Sequence, residues 1–350
     1  MNTHSNSSTD ARKVALLDWL KTLQSKHNLV LDTLDTASSD ASFRRYYRLQ
    51  AGSGTVIAMD APPQQEDSGQ FIHITGLLRQ ADLTVPTILE HDLGQGFLLV
   101  SDLGRQNYWH AIQQGLPDDT LQSLYRDAIQ VLVQMQHADA SSLPAFDEAL
   151  LRDELTFFTE WYLQRYKQVT LSDEDQLMLA QTFQTLATHL ARSPRVLVHR
   201  DFHSPNLMIG PEPSSGRQPG VIDYQDALSG PISYDIASLV MDARTTWEED
   251  QQLDWAIRYW QAARDAGLPV NPDFAEFHIE YEWMSLQRNL RILGVFSRLS
   301  LRDGKHHYLD HLPRVNAYIR QVARRYAPFA RLLRLLDRVD DTPITTGYTF

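Results

Sequence analysis

The amino-acid sequence predicts an α+β fold in which a small β-rich part, residues 1–100, precedes a larger and mostly helical part, residues 101–350. Short runs rich in β-branched and aromatic residues, separated by clusters of Gly, Ser and Asp, crowd into the first hundred residues. Beyond about residue 119 the apolar positions recur instead at helical spacing over long segments. That helical pattern is interrupted at 198–226 by short apolar strands carrying a cluster of ionisable and amide side chains.

After a start expected to be mobile over residues 1–10, residues 11–27 place Val14, Leu17, Leu20 and Leu23 at the spacing of an amphipathic helix. Residues 29–34, 43–50 and 55–59 read as strands, joined by Ser-Ser-Asp-Ala-Ser at 38–42 and by a tight Ala-Gly-Ser-Gly turn at 51–54. Backbone N–H groups of the first connection could cradle phosphate oxygens, although the connection carries no glycine-rich pattern. A helix over 71–81 and strands over 87–91 and 96–100 complete the first part, and Val-Ser-Asp-Leu-Gly at 100–104 forms a hinge.

Helices follow over 119–137, where Leu121, Leu124, Ala128 and Leu132 share a stripe, over 151–166 and over 172–191. Ser172 and Asp175 open the last of these with capping-box spacing. A Gly/Pro/Ser-rich turn at 210–219 is expected in solvent. Helices over 234–246, 253–266, 274–299 and 312–336 lead to a polar tail after residue 337.

Bulk properties exclude several classes. The balance of 32 basic against 44 acidic residues, a formal net charge of −12, argues against a nucleic-acid or anionic-membrane surface driven by overall charge. With no cysteine there is neither a disulfide framework nor a thiolate site. The polar first residues lack a secretory apolar core, and no segment approaches the roughly 20 apolar residues of a membrane span. A soluble, cytoplasmic protein with no obligate protein partner is expected.

The chemistry lies in VHRDFHSPNLMI and GVIDYQD. His199, Asp201 and Asn206 form H-x-D-x-x-x-x-N on a loop between short strands, and Asp223 closes the apolar run 220–222. Asp201 is the candidate catalytic base, since a carboxylate can accept the proton of a hydroxyl nucleophile as a phosphoryl group arrives. Asn206 and Asp223 are hard oxygen donors suited to Mg2+ against the phosphates of ATP. Either loop residue alone is better explained by turn hydrogen bonds. The combination, with Tyr234-Asp235 opening the next helix, points to metal-assisted phosphoryl transfer.

VLVHRDFHSPNLMI and GVIDYQDALSGPISYDIASLV together resemble the core of the aminoglycoside phosphotransferase superfamily, which implies a bilobal protein-kinase-like fold. SSDASFRRYYRL, VIAMDAPPQQED and QRNLRILGVFSRL further resemble bacterial anomeric kinases of N-acetylmuramate and N-acetylglucosamine. The resemblance spans roughly residues 16–326. It implies adenine at the hinge (Val100, Ser101, Leu103), phosphates near Ser39, Ser42 and Arg44, and structural support from His199 and Asp235. Arg200 reads as a structural ion-pair partner, because the interval from Asp223 to Asp235 is too short for a phosphorylated activation loop. His203 stays open between capping, loop packing and substrate contact. The kinase lysine of the third strand is missing: its place falls at Met59 or Asp60, leaving Arg44, Arg45 and Arg48 as candidate cations.

For the sugar, Glu154, Trp161 and Arg165 lie on one predicted helix, and Arg288, Asn289 and Arg291 on another. Glu154, Trp161, Arg288 and Asn289 are the candidate substrate contacts, an arginine being suited to the lactyl carboxylate of N-acetylmuramate. The expected activity is an ATP-dependent sugar kinase acting at the anomeric hydroxyl in cell-wall recycling. Two alternatives are an aminoglycoside or other small-alcohol kinase, which would want acidic side chains around Asp201, and a catalytically silent kinase-like binding protein, suggested by the missing lysine.

Overall fold

The computed structural model describes residues 4–38, 43–52, 54–209 and 218–340, with the backbone alone at 4–10 and 38. Ser39 and Ser42, most of the 210–219 turn and the tail from 341 lie outside the described residues. In chain order the elements are α1 (His4–His27), β1 (Leu29–Ser38), β2 (Arg45–Ala51), β3 (Gly54–Asp60), α2 (Ser68–Gln80), β4 (Ile88–Asp92) and β5 (Phe97–Ser101). Then come α3 (Tyr108–Gln113), α4 (Asp118–Met135), α5 (Glu148–Glu154), a π-helix (Phe158–Tyr166), α6 (Asp173–Leu190) and β6 (Arg195–Val198). A 3₁₀ turn (Ser204–Asn206) leads into β7 (Leu207–Met208), β8 (Gly220–Val221) and β9 (Leu228–Pro231). The chain ends with α7 (Tyr234–Val240), α8 (Glu249–Asp265), α9 (Phe274–Asp303), α10 (Leu312–Ala323) and α11 (Ala330–Val339).

These elements form two compact units, Met1–Gln106 with Met208–Gln225, and Asn107–Leu207 with Asp226–Phe350. In the first unit an antiparallel sheet runs in the order β1-β2-β3-β5-β4. Alternation along β2 and β3 turns Tyr47, Leu49, Val56 and Ala58 inward, where they pack with Leu16 and Leu20 of α1 and with Phe97 and Leu99 of β5. The register sets Arg45 opposite Asp60 and Arg48 opposite Ile57. Asp67 caps α2 by accepting from the Gly69 and Gln70 amides.

The second unit is a helical assembly around α9, a 30-residue helix buried along much of its length. The capping box at Ser172 and Asp175 is formed. Three segments depart from the predicted helices. Residues 151–166 split into α5 and the π-helix, whose start lies directly on α9: a Cβ at Gly294 would stand 2.2 Å from the Phe157 carbonyl atoms. The predicted helix 312–336 breaks into α10 and α11, where Tyr326 is extended and a 3₁₀ turn over Ala327–Phe329 separates the two helices. The predicted helix 234–246 stops at Val240, since Asp242 turns its carboxylate back onto the Arg244 amide. Two elements escaped sequence patterning, α3, which is a short helix capped by Asn107, and β9, whose Gly-Pro ending reads as a turn.

Candidate active site

β6 ends at Val198, and the loop after it is fixed from below by Asp235 at the start of α7. The Asp235 carboxylate accepts the His199 amide at 2.7 Å and the Arg200 amide at 3.0 Å. Burial pushes Asp235 up to about 6 against the favourable field of His199 and these two amide bonds. His199 Nδ1 in turn accepts the Asp201 amide at 3.2 Å. Arg200 has φ +75°, a left-handed conformation that costs a non-glycine residue about 1–3 kcal/mol. It is held there by an ion pair with Glu154 and by the face of Phe146, 5.5 Å away.

Asp201 is half-buried at the tip of this loop. Burial alone would raise its pKa, but the positive field of His203, Arg291, Arg288 and His199 outweighs burial and brings it down to about 2. His203 is itself pushed down to about 4, first by burial and then by Arg244 and Arg288 against the opposing pull of Asp242 and Asp201. It is therefore neutral near pH 7, where Arg291 and Arg288 carry most of the effect on Asp201. Asn206, at the end of the 3₁₀ turn, donates Nδ2 to the Asp201 carbonyl at 2.9 Å, which turns its Oδ1 the other way.

Among the candidate sugar contacts, Glu154 is buried between Arg200 and Arg291, the latter Nε at 3.1 Å. Trp161 lies half-buried on the π-helix with Arg165 stacked on its ring at 4.1 Å. Arg288 and Asn289 are buried on α9, and Asn289 Nδ2 donates to Ser285 at 3.0 Å. Arg288 acts electrostatically on Asp201, so this pair is brought together by the fold.

In the first unit Asp223 follows β8 with φ +66° and accepts Gln225 Nε2 at 2.9 Å. The next residue pins it: Tyr224 stacks on Phe71 with ring centroids 5.2 Å apart and shares a 2.8 Å hydrogen bond with Thr75, both on α2. Tyr46 of β2 feels Asp223, Arg44 and Glu66 together, and burial is the main reason its hydroxyl is pushed well up.

The three candidate cations of the first unit have different partners. Arg45 pairs with Asp60 at 2.5 Å. Arg48 pairs with Asp102 at 2.5 Å and donates to the Gly104 carbonyl at 2.7 Å, tying β2 to the hinge. Arg44 pairs with Glu66 at 2.6 Å in a largely buried position. Asp60, at the predicted lysine place, is fully buried and also clamped by Arg12 Nε at 2.8 Å. At the hinge, Val100 is buried in β5, and Ser101 spends its hydroxyl on the Thr87 amide at 2.8 Å. Leu103 packs where a Cβ on Gly220 would fall, 2.8 Å from its Cδ1. Sequence reasoning passed over Glu66, Asp242 and Arg244. Glu66 does lie in the VIAMDAPPQQED segment, but nothing local marks it as the partner of Arg44.

Asp201, on a loop clamped by the buried Asp235 and with Asn206 five residues on, lies within residues 33–277, which match the phosphotransferase enzyme family. The chain belongs to that family. A protein of Neisseria meningitidis serogroup B named N-acetylmuramate/N-acetylglucosamine kinase is 40% identical over 342 residues, covering 97% of this chain and 99% of that one. A protein of the same name from Pseudomonas aeruginosa is 43% identical over 301 residues, 86% of each chain. Among solved structures, an ADP-bound aminoglycoside phosphotransferase shares 12% identity with a TM-score of 0.56, over 85% of this chain and 95% of that one. A Plasmodium vivax ethanolamine kinase shares 12% with a TM-score of 0.56, over 82% and 83%. At such identities the likeness is one of fold, and the fold is kinase-like α+β.

Proposed function

We propose that this protein transfers the γ-phosphoryl group of ATP to the anomeric hydroxyl of N-acetylmuramate and N-acetylglucosamine, giving sugar 1-phosphates for cell-wall recycling in the cytoplasm. The observation that carries this is the shared name of relatives 40% and 43% identical over most of both chains. No helix among the described residues is long and apolar enough to cross a membrane.

Asp201 accepts the hydrogen of the sugar hydroxyl and takes the proton as the bond to phosphorus forms. An anomeric hydroxyl suits so acidic a carboxylate, because the ring oxygen makes it more acidic than an ordinary alcohol. Asp235 and His199 hold the loop so that Asp201 does not have to be ordered at the moment of reaction. The two arginines that act on Asp201 also count against a polycationic antibiotic as substrate.

The described residues contain no cluster of three His, Cys, Asp or Glu fit for a metal ion. Mg2+ is held through one or two protein oxygens while phosphates and water supply the rest. Asn206 Oδ1 and the Asp223 carboxylate are the hard donors that would hold it, and bound Mg2+ would offset the charge of the phosphates. Arg44, paired with Glu66, matches the missing lysine and its glutamate partner in charge, and we assign it to the nucleotide phosphates. Ser39 and Ser42 are assigned to the same phosphates, and the backbone of Val100, Ser101 and Leu103 to adenine.

Incubation with MgATP and either sugar, followed by phosphorus and carbon NMR of the product, tests the proposal. Phosphate on the C1 oxygen is expected, and phosphate on C6 overturns it. Asp223→Ala is expected to weaken MgATP binding about tenfold or more while leaving sugar binding near wild type, since it deletes an anionic metal ligand. Unchanged MgATP affinity by calorimetry would remove Asp223 from the metal set.

A further inference from the structure

Two side chains of the second unit carry buried donors that the phosphoryl-transfer chemistry leaves unused. Arg244 Nη1 lies 3.0 Å from His203 Nε2. A guanidinium can only donate, so Nε2 accepts, and the ring is neutral with its proton on Nδ1. The arrangement is rigid, because the Arg244 amide donates to Asp242 Oδ1 at 2.9 Å and Asp242 Oδ2 accepts the Ser204 amide at 3.2 Å and its hydroxyl at 2.5 Å. His203 Nδ1 is buried and has no hydrogen-bond partner among the described residues.

Arg288 on α9 is 4% exposed, and its Nε and Nη1 likewise have no hydrogen-bond partner among the described residues. One helical turn on, Arg291 lies against Glu154 Oε1, which also takes Arg200, while Glu154 Oε2 has no hydrogen-bond partner among the described residues. Buried donors without acceptors are costly, and their survival beside a reacting group marks a place that a ligand completes. Arg288 acts electrostatically on Asp201 and on His203, which lies two residues from Asp201. The three orphan atoms of His203 and Arg288 are all donors, which calls for an acceptor-only, anionic group, and a carboxylate is that group.

We propose that His203 Nδ1–H and the Nε–H and Nη1–H of Arg288 form a donor pocket beside Asp201 that takes the carboxylate of the acceptor sugar. The pocket thereby sets the preference for N-acetylmuramate, which has a lactyl carboxylate, over N-acetylglucosamine, which has none. This rests on the function proposed above.

The test compares kcat and KM for both sugars at saturating MgATP in wild type, Arg288→Met, His203→Gln and His203→Asn. Arg288→Met keeps the stem and removes the donors, and the ratio of kcat/KM for N-acetylmuramate over N-acetylglucosamine is expected to fall about 10- to 100-fold, chiefly through KM, as for loss of a charge-assisted hydrogen bond. His203→Gln can still accept from Arg244 but offers no donor at the Nδ1 position, and should shift the ratio in the same direction. His203→Asn places an amide N–H near the Nδ1 position and should keep most of the preference. If Arg288→Met fails to fold, the contrast between the two His203 variants decides. An unchanged ratio overturns the proposal. So does an equal loss of kcat on both sugars, which would assign these donors to the transferred phosphoryl group. A wild-type protein inactive on both sugars would instead overturn the proposed function.

Discussion

Asp201→Asn is expected to fold, to bind MgATP and sugar as the wild type does, and to lose about 100-fold or more in kcat. The substitution is nearly isosteric, and the groups that hold the loop do not depend on the Asp201 side chain: Asp235 grips the amides of His199 and Arg200. On the proposed mechanism, what is lost is the anionic oxygen that takes the proton. The pH dependence follows from the same environment. Arg291 and Arg288, with the two histidines, outweigh burial and bring Asp201 down to about 2, and a base works when ionised, so lowering the pH should not switch it off until well below the ordinary carboxylate range near pH 4. Measured kcat should therefore show no acid limb from Asp201 between about pH 5 and 8. Wild-type turnover in the asparagine variant would remove Asp201 from the chemistry.

Blocking the anomeric oxygen should be still more damaging. A methyl glycoside of either sugar is expected to give no measurable phosphorylation while competing with the free sugar for the site. The nucleophile must lie within hydrogen-bond reach of Asp201 and in line with the transferred group, a requirement worth many orders of magnitude in rate. A loop clamped by a buried aspartate, with the left-handed Arg200 held by Glu154, has little freedom to bring a second hydroxyl into that line. Efficient phosphorylation of the methyl glycoside would contradict attack through C1 while leaving the protein a kinase.

The elements that carry strong local pattern were legible in the sequence. The strands of the first unit and helices such as α4, α6 and α9 follow their apolar periodicity to within a few residues at most ends. The loop bearing Asp201 and Asn206 was legible because its chemistry is compressed into eight consecutive residues from His199. What stayed hidden depends on contacts far apart in the chain. The π-helix follows no apolar repeat of its own, and its start rests on a backbone contact with Gly294. The fixed tautomer of His203 requires Arg244, 41 residues away, and the partner of Arg44 is Glu66 across a strand and a loop. Glu154 and Arg288 were both candidates for the sugar, and only the folded arrangement shows their partners: one oxygen of Glu154 is shared by two arginines, while Arg288 keeps two donors without acceptors.

The carboxylate at Asp60 has a practical consequence for chemical labelling. Many covalent probes for nucleotide-binding enzymes acylate or sulfonylate an amine that sits beside the bound phosphates. Here the third strand offers a buried aspartate locked by Arg12 and Arg45, and the protein has five lysines in all, three of them on α1 and the others at 167 and 305. Amine-directed nucleotide reagents should therefore pass this enzyme by in proteome-wide surveys, leaving its activity intact where related kinases are inactivated. Reagents selective for guanidinium groups, with ATP protection as the readout, should find Arg44 instead.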